Sequence, residues 1–286
     1  MLEKKSSMAI RLFEKNENNF ICPICNGNLK ASSGSVVCEN NHTFNVSKKG
    51  SLVLYKTSKL KNDKIYTKAL FENRRKFILE GFYKKVHQLI AKEINLYAPK
   101  IILDMGCGEG THDIIIKRQI LDNPLFLGID LSKEGIDLSN DYLNENFIGL
   151  VSDLNNLPLK EKSIDLILNI LSPSNESEMN RVLSDNGIII KVTPKKEYLQ
   201  EIREALKLSD YKNEITMNNN IIDNYQIIDK LELNDTYELS KESLKYLSEM
   251  TPLMANQKSI PNISEITIAL NIYVLKPKKG DNNGLS

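Results

Sequence analysis

The chain has 286 residues, 41% hydrophobic and 26% charged, with 4 Cys, 3 His and no Trp. This composition suits one large domain plus a smaller one, or two medium ones. It can bury a sizeable core and excludes a disulfide scaffold, and no apolar run approaches the ~20 residues a membrane helix needs. The opening "MLEKKSSMAIRLFEKNENN" has no apolar core of a signal peptide, so a reducing cytoplasm is the expected compartment and no membrane partner is expected. The net charge of +1 hides an asymmetry. Residues 1–100 carry 19 Lys+Arg against 8 Asp+Glu, and residues 47–85 alone carry 12 against 3. A solvated helix face is the plainer account of such a run, but an asymmetry this large points to a polyanion met by the N-terminal part.

The first predicted element is a metal module in "FICPICNGNLKASSGSVVCENNHTFNVSKKG", residues 20–50. Cys22 and Cys25 form C-x2-C, and Cys38 and His42 form C-x3-H. Two short-spaced pairs joined by a hairpin supply the four soft or borderline ligands that tetrahedral zinc takes. "NGNLKASSGSVV" reads as that hairpin, with turn residues around short apolar runs. Four protein ligands leave no open position, so the expected Zn2+ is structural. Phe20, Phe44 and Tyr55 are candidate base-stacking aromatics, with small-core packing the better reading of Phe44.

Next comes "NDKIYTKALFENRRKFILEGFYKKVHQLI", where Ile65, Ala69, Leu70, Phe77, Ile78 and Phe82 recur at helical spacing around Arg74, Arg75 and Lys76. A basic helical linker over 56–98 is predicted, with His87 on its surface.

"KIILDMGCGEGTHDIIIKR", residues 100–118, then gives a short apolar strand closing on Asp104, a glycine turn and a helix start. Glycines at such a turn permit positive φ and close approach of a ligand. "PLFLGIDLS" supplies a second strand ending at Asp130, placed to accept from ribose hydroxyls. A third strand is expected to end at Asp153, and "IDLILNI" is the fourth. A dinucleotide fold competes for this pattern, but its third glycine would fall on Thr111; the spacing here is G-x-G-x-G at Gly106, Gly108 and Gly110. Cys107 inside the loop reads as a small packing residue. The tail "KPKKGDNNGLS" is polar, with disorder expected over 279–286.

The D-x-G-C-G-E-G form resembles motif I of the class I S-adenosylmethionine (SAM) methyltransferases, and "SDLNNLPLKEKSIDLILNI" resembles the later part of the same core. Together with the Cys3His module, "NRRKFILEGFY", "LSPSNESEMNRVLSDNGIIIKVTP" and "EMTPL", the chain resembles the RlmA family over roughly residues 18–275. These are bacterial 23S rRNA guanine-N1 methyltransferases, including macrolide-resistance relatives.

The resemblance implies an α/β fold: a Rossmann-like, seven-stranded, mostly parallel sheet over residues 99–278, preceded by a zinc-binding RNA-recognition module over 1–55. It implies SAM and structural zinc as cofactors, a 23S rRNA hairpin as partner, and is compatible with a homodimer. Carried over residue by residue, it puts the zinc ligands on Cys22, Cys25, Cys38 and His42. It puts the cofactor contacts on Tyr83, Asp104, Gly106, Gly108, His112, Asp113, Asp130, Asp153 and Leu154. Tyr198 replaces the histidine usual after "TP-x-x-x", keeping a hydrogen bond but not a charge.

For the chemistry, N1 of guanine must lose a proton as its lone pair attacks the methyl group, and the base must be unstacked. Asn169, at the end of the fourth strand, is the candidate that touches the purine. Glu176 and Glu178 are weaker base candidates, better read as first-turn helix acids. Two alternatives from other classes are a small-molecule methyltransferase and a non-catalytic RNA-binding relative.

Overall fold

The computed structural model describes residues 3–55, 66–208, 221, 223–254 and 259–278. A helix α1 (Lys5–Asn16) leads into the metal module, whose hairpin strands β1 (Leu29–Ser32) and β2 (Ser35–Cys38) are joined by a two-residue turn. Ser33 and Gly34 both take positive φ there, as the twist of a tight hairpin requires. β3 (Thr43–Asn45) adds antiparallel to β2 and completes a three-stranded sheet.

The second sheet is built from β5 (Ile101–Met105), β6 (Leu125–Asp130), β7 (Phe147–Val151), β8 (Ile164–Ile170), β9 (Leu183–Pro194), β10 (Tyr225–Glu238) and β11 (Glu265–Pro277). Their spatial order is β10-β11-β9-β8-β5-β6-β7, and β11 is the one antiparallel to its neighbours. The expected seven strands are joined by an eighth, β4 (Leu52–Val53), which pairs parallel with β7. This short strand belongs to the chain leaving the metal module. It covers what would otherwise be an open sheet edge, and Leu54 N donates to Val151 O at 3.0 Å just beyond it. The third strand of the core ends at Val151, two residues before the expected Asp153. Ser152 N still reaches Asp130 O, and the Asp153 carboxylate then turns back to accept from Asn155 N.

Inner strands buried on both faces need apolar residues at every position, and β7 (FIGLV) is buried throughout. One face carries α2 (Lys68–Leu79), α3 (Lys84–Tyr97), α4 (Thr111–Lys117), α7 (Gln200–Ala205) and α8 (Lys241–Met250), packed on Phe126, Leu166, Leu168 and Ile190. Thr67 caps α2 by accepting from Leu70 N. Leu70, Phe71, Phe77 and Ile78 point inward from α2, whereas Ala69, expected among them, is exposed. α5 (Lys133–Ser139) follows β6. The other face carries α1, the metal module and α6 (Glu176–Val182) on Leu103, Leu127, Ile148, Leu150 and Ile167.

The metal module is therefore not a separate body. Phe13, Phe20, Cys22, Leu29 and Val36 share one apolar cluster with the sheet. Phe20, expected as a base-stacking candidate, is fully buried, 4.8 Å from the Phe13 ring centroid and bridged to Leu159. Phe44 is buried as small-core packing requires. Ile65, Lys59 and Lys61 of the linker, and the tail at 279–286, lie outside the described residues. Among the described residues no helix is long and apolar enough to cross a membrane.

Replacing Phe20 with Ala should destabilise the whole chain by about 3–5 kcal/mol, the cost of emptying a buried aromatic site. Chemical denaturation should show a single shifted transition. A variant of unchanged stability would mean that the ring is not part of the shared core.

Candidate cofactor and metal sites

Cys22, Cys25, Cys38 and His42 converge so that their ligand atoms all lie within 4.8 Å of one another. Cys22 Sγ is 3.5 Å from His42 Nδ1, and Cys25 Sγ is 3.4 Å from Cys38 Sγ. Ligands roughly 2.0–2.3 Å from a tetrahedral zinc stand at about such separations from each other. Two tight turns bring them there, with Asn26 and Asn41 in the left-handed region and Cys22 N and Cys38 N donating to Gly27 O and His42 O. Asn40 donates to both Cys25 Sγ and Cys38 Sγ, from its side chain and backbone respectively. Burial pushes the Cys22 thiol up to about 11, whereas the Asn40 amide holds Cys25 down to about 6. The donor set fits zinc and leaves no ligand position open.

The glycine loop connects β5 to α4. Gly106, Gly108 and Gly110 all have positive φ, between 57° and 87°. The loop is tied to β6: Gly106 N and Cys107 N donate to Ile129 O, and Gly108 N donates to Asp130 Oδ2 at 3.0 Å. The other Asp130 oxygen accepts from Ser132 N at 2.8 Å. Cys107 is buried against Gly128, in keeping with its expected packing part. A Cβ on Gly108 would sit 3.2 Å from both Phe71 and Arg74, so α2 lies directly over the loop.

Carboxylates gather around this loop in numbers that an empty protein interior does not tolerate. Asp104, Glu109 and Asp113 are buried, and Asp104 Oδ1, Glu109 Oε2 and both Asp113 oxygens lack a hydrogen-bond partner among the described residues. Burial pushes Asp104 up to about 7 and Asp113 well above the carboxylate range. The nearest cation to Glu109 is Arg74, at 4.0 Å. Orphaned acids of this kind fit a ligand bearing positive charge, which S-adenosylmethionine carries on its amino group and its sulfonium. Glu109 and Arg74 were not among the sequence candidates, although Glu109 lies inside the quoted "GCGEG".

A ring cluster flanks the acids. Tyr83, at the start of α3, bonds its hydroxyl to Tyr198 OH at 2.7 Å and stands edge-on to His112, 5.1 Å between centroids. His87, expected on the helix surface, is instead buried, with Nε2 2.8 Å from His112 Nδ1. Burial lowers His87 to about 4 and His112 well below the usual range, so both rings are neutral and one donates to the other. Asp153 and Leu154 lie on the loop after β7, partly buried.

Asn169 is placed differently from the sequence expectation. Its side chain is 0% exposed; the amide donates to Met105 O and Pro173 O, and its oxygen accepts from Lys191 Nζ at 2.6 Å. Both amide hydrogens are thus used within the protein, and the oxygen is engaged by a buried amine. Glu176 and Glu178 occupy the first turn of α6, and Glu178 is held by Leu157 N and Arg181.

Two outcomes follow. Purified chain should carry one zinc, and Cys25→Ser should abolish it. Because module and sheet share a core, the melting temperature should then fall in one step; a separate low-temperature transition would contradict the shared core. Asp104 has a folded-state pKa of about 7, above its ordinary 3.8. Its bound proton therefore stabilises the ligand-free fold at low pH, and that contribution is lost as pH rises through about 7. SAM affinity should rise over the same interval, with proton release visible by calorimetry in buffers of different ionisation enthalpy. Asp104→Asn should weaken the pH dependence and remove much of the affinity, Asp113 still titrating; an unchanged binding profile would place the cation elsewhere.

Residues 98–257 match the methyltransferase domain family, and residues 20–56 match the N-terminal zinc ribbon of RlmA. YxjB of Bacillus subtilis (strain 168), provisionally named a 23S rRNA (guanine-N(1)-)-methyltransferase, is 34% identical over 82% of this chain and 86% of its own. The 23S rRNA (guanine(748)-N(1))-methyltransferase of Streptomyces fradiae is 25% identical over 90% and 96% respectively. Among solved structures, the YcgJ protein of B. subtilis overlays with a TM-score of 0.44 at 17% identity, over 68% of this chain and 98% of that one. With its Cys3His ribbon and glycine loop alongside the two family matches and the similarity to YxjB, the chain belongs to the RlmA family of 23S rRNA (guanine-N1)-methyltransferases.

Proposed function

We propose that this protein methylates N1 of a guanine in a hairpin of 23S rRNA, in the cytoplasm. The observation that carries the reading is the joining of an RlmA-type zinc ribbon to the methyltransferase sheet through one apolar core. A small-molecule enzyme has no evident use for a rigidly docked ribbon with a basic exit.

SAM, when bound, supplies a methyl group on a sulfonium centre. Asp104 and Asp113 would hold its amino group, Asp130 its ribose hydroxyls, and Asp153 with Leu154 its adenine. Gly106 and Gly108 let the backbone approach it closely. Tyr83, His112 and Tyr198 would contribute neutral rings to the cofactor site. His87 fixes the His112 tautomer by its hydrogen bond. Asn169 acts as a positioning residue: it ties the end of β8 to Met105 O at the end of β5 and to Pro173 O. Proximity and exclusion of water then supply much of the rate.

The ribbon and the basic stretch after it would track RNA phosphates. Lys48 is exposed for this, and Lys49 pairs with Asp137 at 3.4 Å. Purified protein should transfer labelled methyl from SAM to a 23S rRNA hairpin transcript, with N1-methylguanine as the digest product. Replacing Lys48, Lys49, Lys59 and Lys61 with Gln should lower the log–log salt slope of RNA binding by roughly 0.7–0.9 per lost phosphate contact. SAM affinity should not move. An unaltered slope would make the basic stretch a solvated face.

A further inference from the structure

Beside the loop after β8 lies a cavity of about 240 Å³, walled by apolar side chains that include Met179 and Leu275. That is room for a single planar base. Its polar lining is Ser172, Ser174, Glu176, Lys191 and Tyr225. Two of these are more deeply buried than such groups ordinarily are: Lys191 is 9% exposed and Tyr225 is 4% exposed. The Tyr225 hydroxyl has no hydrogen-bond partner among the described residues, a cost of about 1–3 kcal/mol if nothing ever meets it. Lys191 Nζ donates to Asn169 Oδ1 and to Ser174 Oγ, at 2.6 and 3.1 Å. Two of its three N–H groups are so used, and the third remains for a ligand.

The cavity adjoins the cofactor loop. Ser172 lines it and also leans on the first loop glycine, so that a Cβ on Gly106 would collide with Ser172 Oγ. Ser172 Oγ and the Asn169 amide share Met105 O as acceptor. The same short segment therefore borders both the methyl donor's loop and a base-sized hole containing an unsatisfied donor and a buried amine.

Resting on the guanine-N1 reading above, we propose that this cavity receives the flipped target guanine, with Lys191 and Tyr225 donating to its O6 and Glu176 taking its N1 proton. The chemistry is balanced. The N1 lone pair forms the new N–CH3 bond, the S–CH3 electron pair returns to sulfur, and the N1 proton passes to the Glu176 carboxylate. As N1 loses its proton, negative charge spreads onto O6, where buried donors stabilise it most. Adenine presents an amino donor at that position, which two donors would repel, so the pair also selects guanine. The groups facing Lys191 are Glu176 from α6, Tyr225 from β10, Asn169 from β8 and Ser174; β11 contributes the apolar Leu275. Burial holds the Lys191 amine down to about 8, with Glu176 acting against that fall. The negative charge developing on O6 favours its charged form.

The test compares wild type, Lys191→Met, Lys191→Arg and Tyr225→Phe on the 23S rRNA hairpin transcript, with SAM affinity and RNA affinity measured on each. Lys191→Met should lower kcat at least 100-fold and Tyr225→Phe about ten-fold, with both affinities within about two-fold of wild type. The Lys191→Met deficit should shrink as pH rises, because guanine N1 then ionises unaided, and Lys191→Arg should recover part of the rate. Tyr225→Phe removes only an unpartnered hydroxyl, so it reports on the site even if Lys191→Met misfolds. Wild-type kcat in both Lys191→Met and Tyr225→Phe, or a Lys191→Met deficit equal at every pH, would overturn the assignment. A wild-type protein that methylates no rRNA would instead overturn the functional reading on which the assignment rests.

Discussion

Everything that positions chemistry in this protein depends on how β6 holds the glycine loop. One carbonyl, Ile129 O, accepts from Gly106 N and Cys107 N, and one carboxylate, Asp130, accepts from Gly108 N. These bonds set the loop's three left-handed residues, and the loop in turn starts α4 and brings Asp113 beside Asp104. A side chain at any of the three glycines would meet a neighbour: Ser172 at Gly106, Phe71 and Arg74 at Gly108, Ser139 at Gly110. The loop is thus hemmed in by the segment after β8, by α2 and by α5, and whatever shifts one of these shifts the cofactor's bed.

That arrangement links the two ends of the molecule. The zinc ribbon is fixed to the sheet by Phe20, Leu29 and Val36 in the shared cluster and by backbone bonds from Ile21 N to Pro158 O and Lys160 N to Asn19 O. The chain leaving it pairs with β7 through β4, and α2, further on, places Phe71 and Arg74 against the loop. Arg75 adds a brace, donating to Leu138 O and pairing with Asp141. RNA held by the ribbon would therefore be held by a module that shares its apolar core and backbone bonds with the sheet shaping the cofactor site.

Much of this was legible in the sequence where a local pattern has a single physical cause. The C-x2-C and C-x3-H spacings announce four convergent ligands. Apolar runs such as "IILDM" and "IDLILNI" announce strands buried on both faces, and G-x-G-x-G announces positive φ. What escaped depended on contacts distant in sequence. His87 looks like a surface residue until its partner His112, on a different helix, is known, though it lies on the same stripe of α3 as Ile90 and Ile94. Phe20 looks free to stack on a base until the module is docked on the sheet. Asn169 looks substrate-facing until Lys191, one strand away, is found bonded to its oxygen. The two-residue β4 has no periodicity to read, and the burial of Glu109 and Asp113 around the loop is a property of the fold alone.

The central claim is that a guanine of 23S rRNA is methylated at N1, the edge that pairs with cytosine. Primer extension by reverse transcriptase across 23S rRNA, from cells with and without this gene, tests it most directly, because a methyl at N1 blocks pairing. A stop at one hairpin guanine should be present with the gene and absent without it. Identical stop patterns in the two strains would contradict the claim.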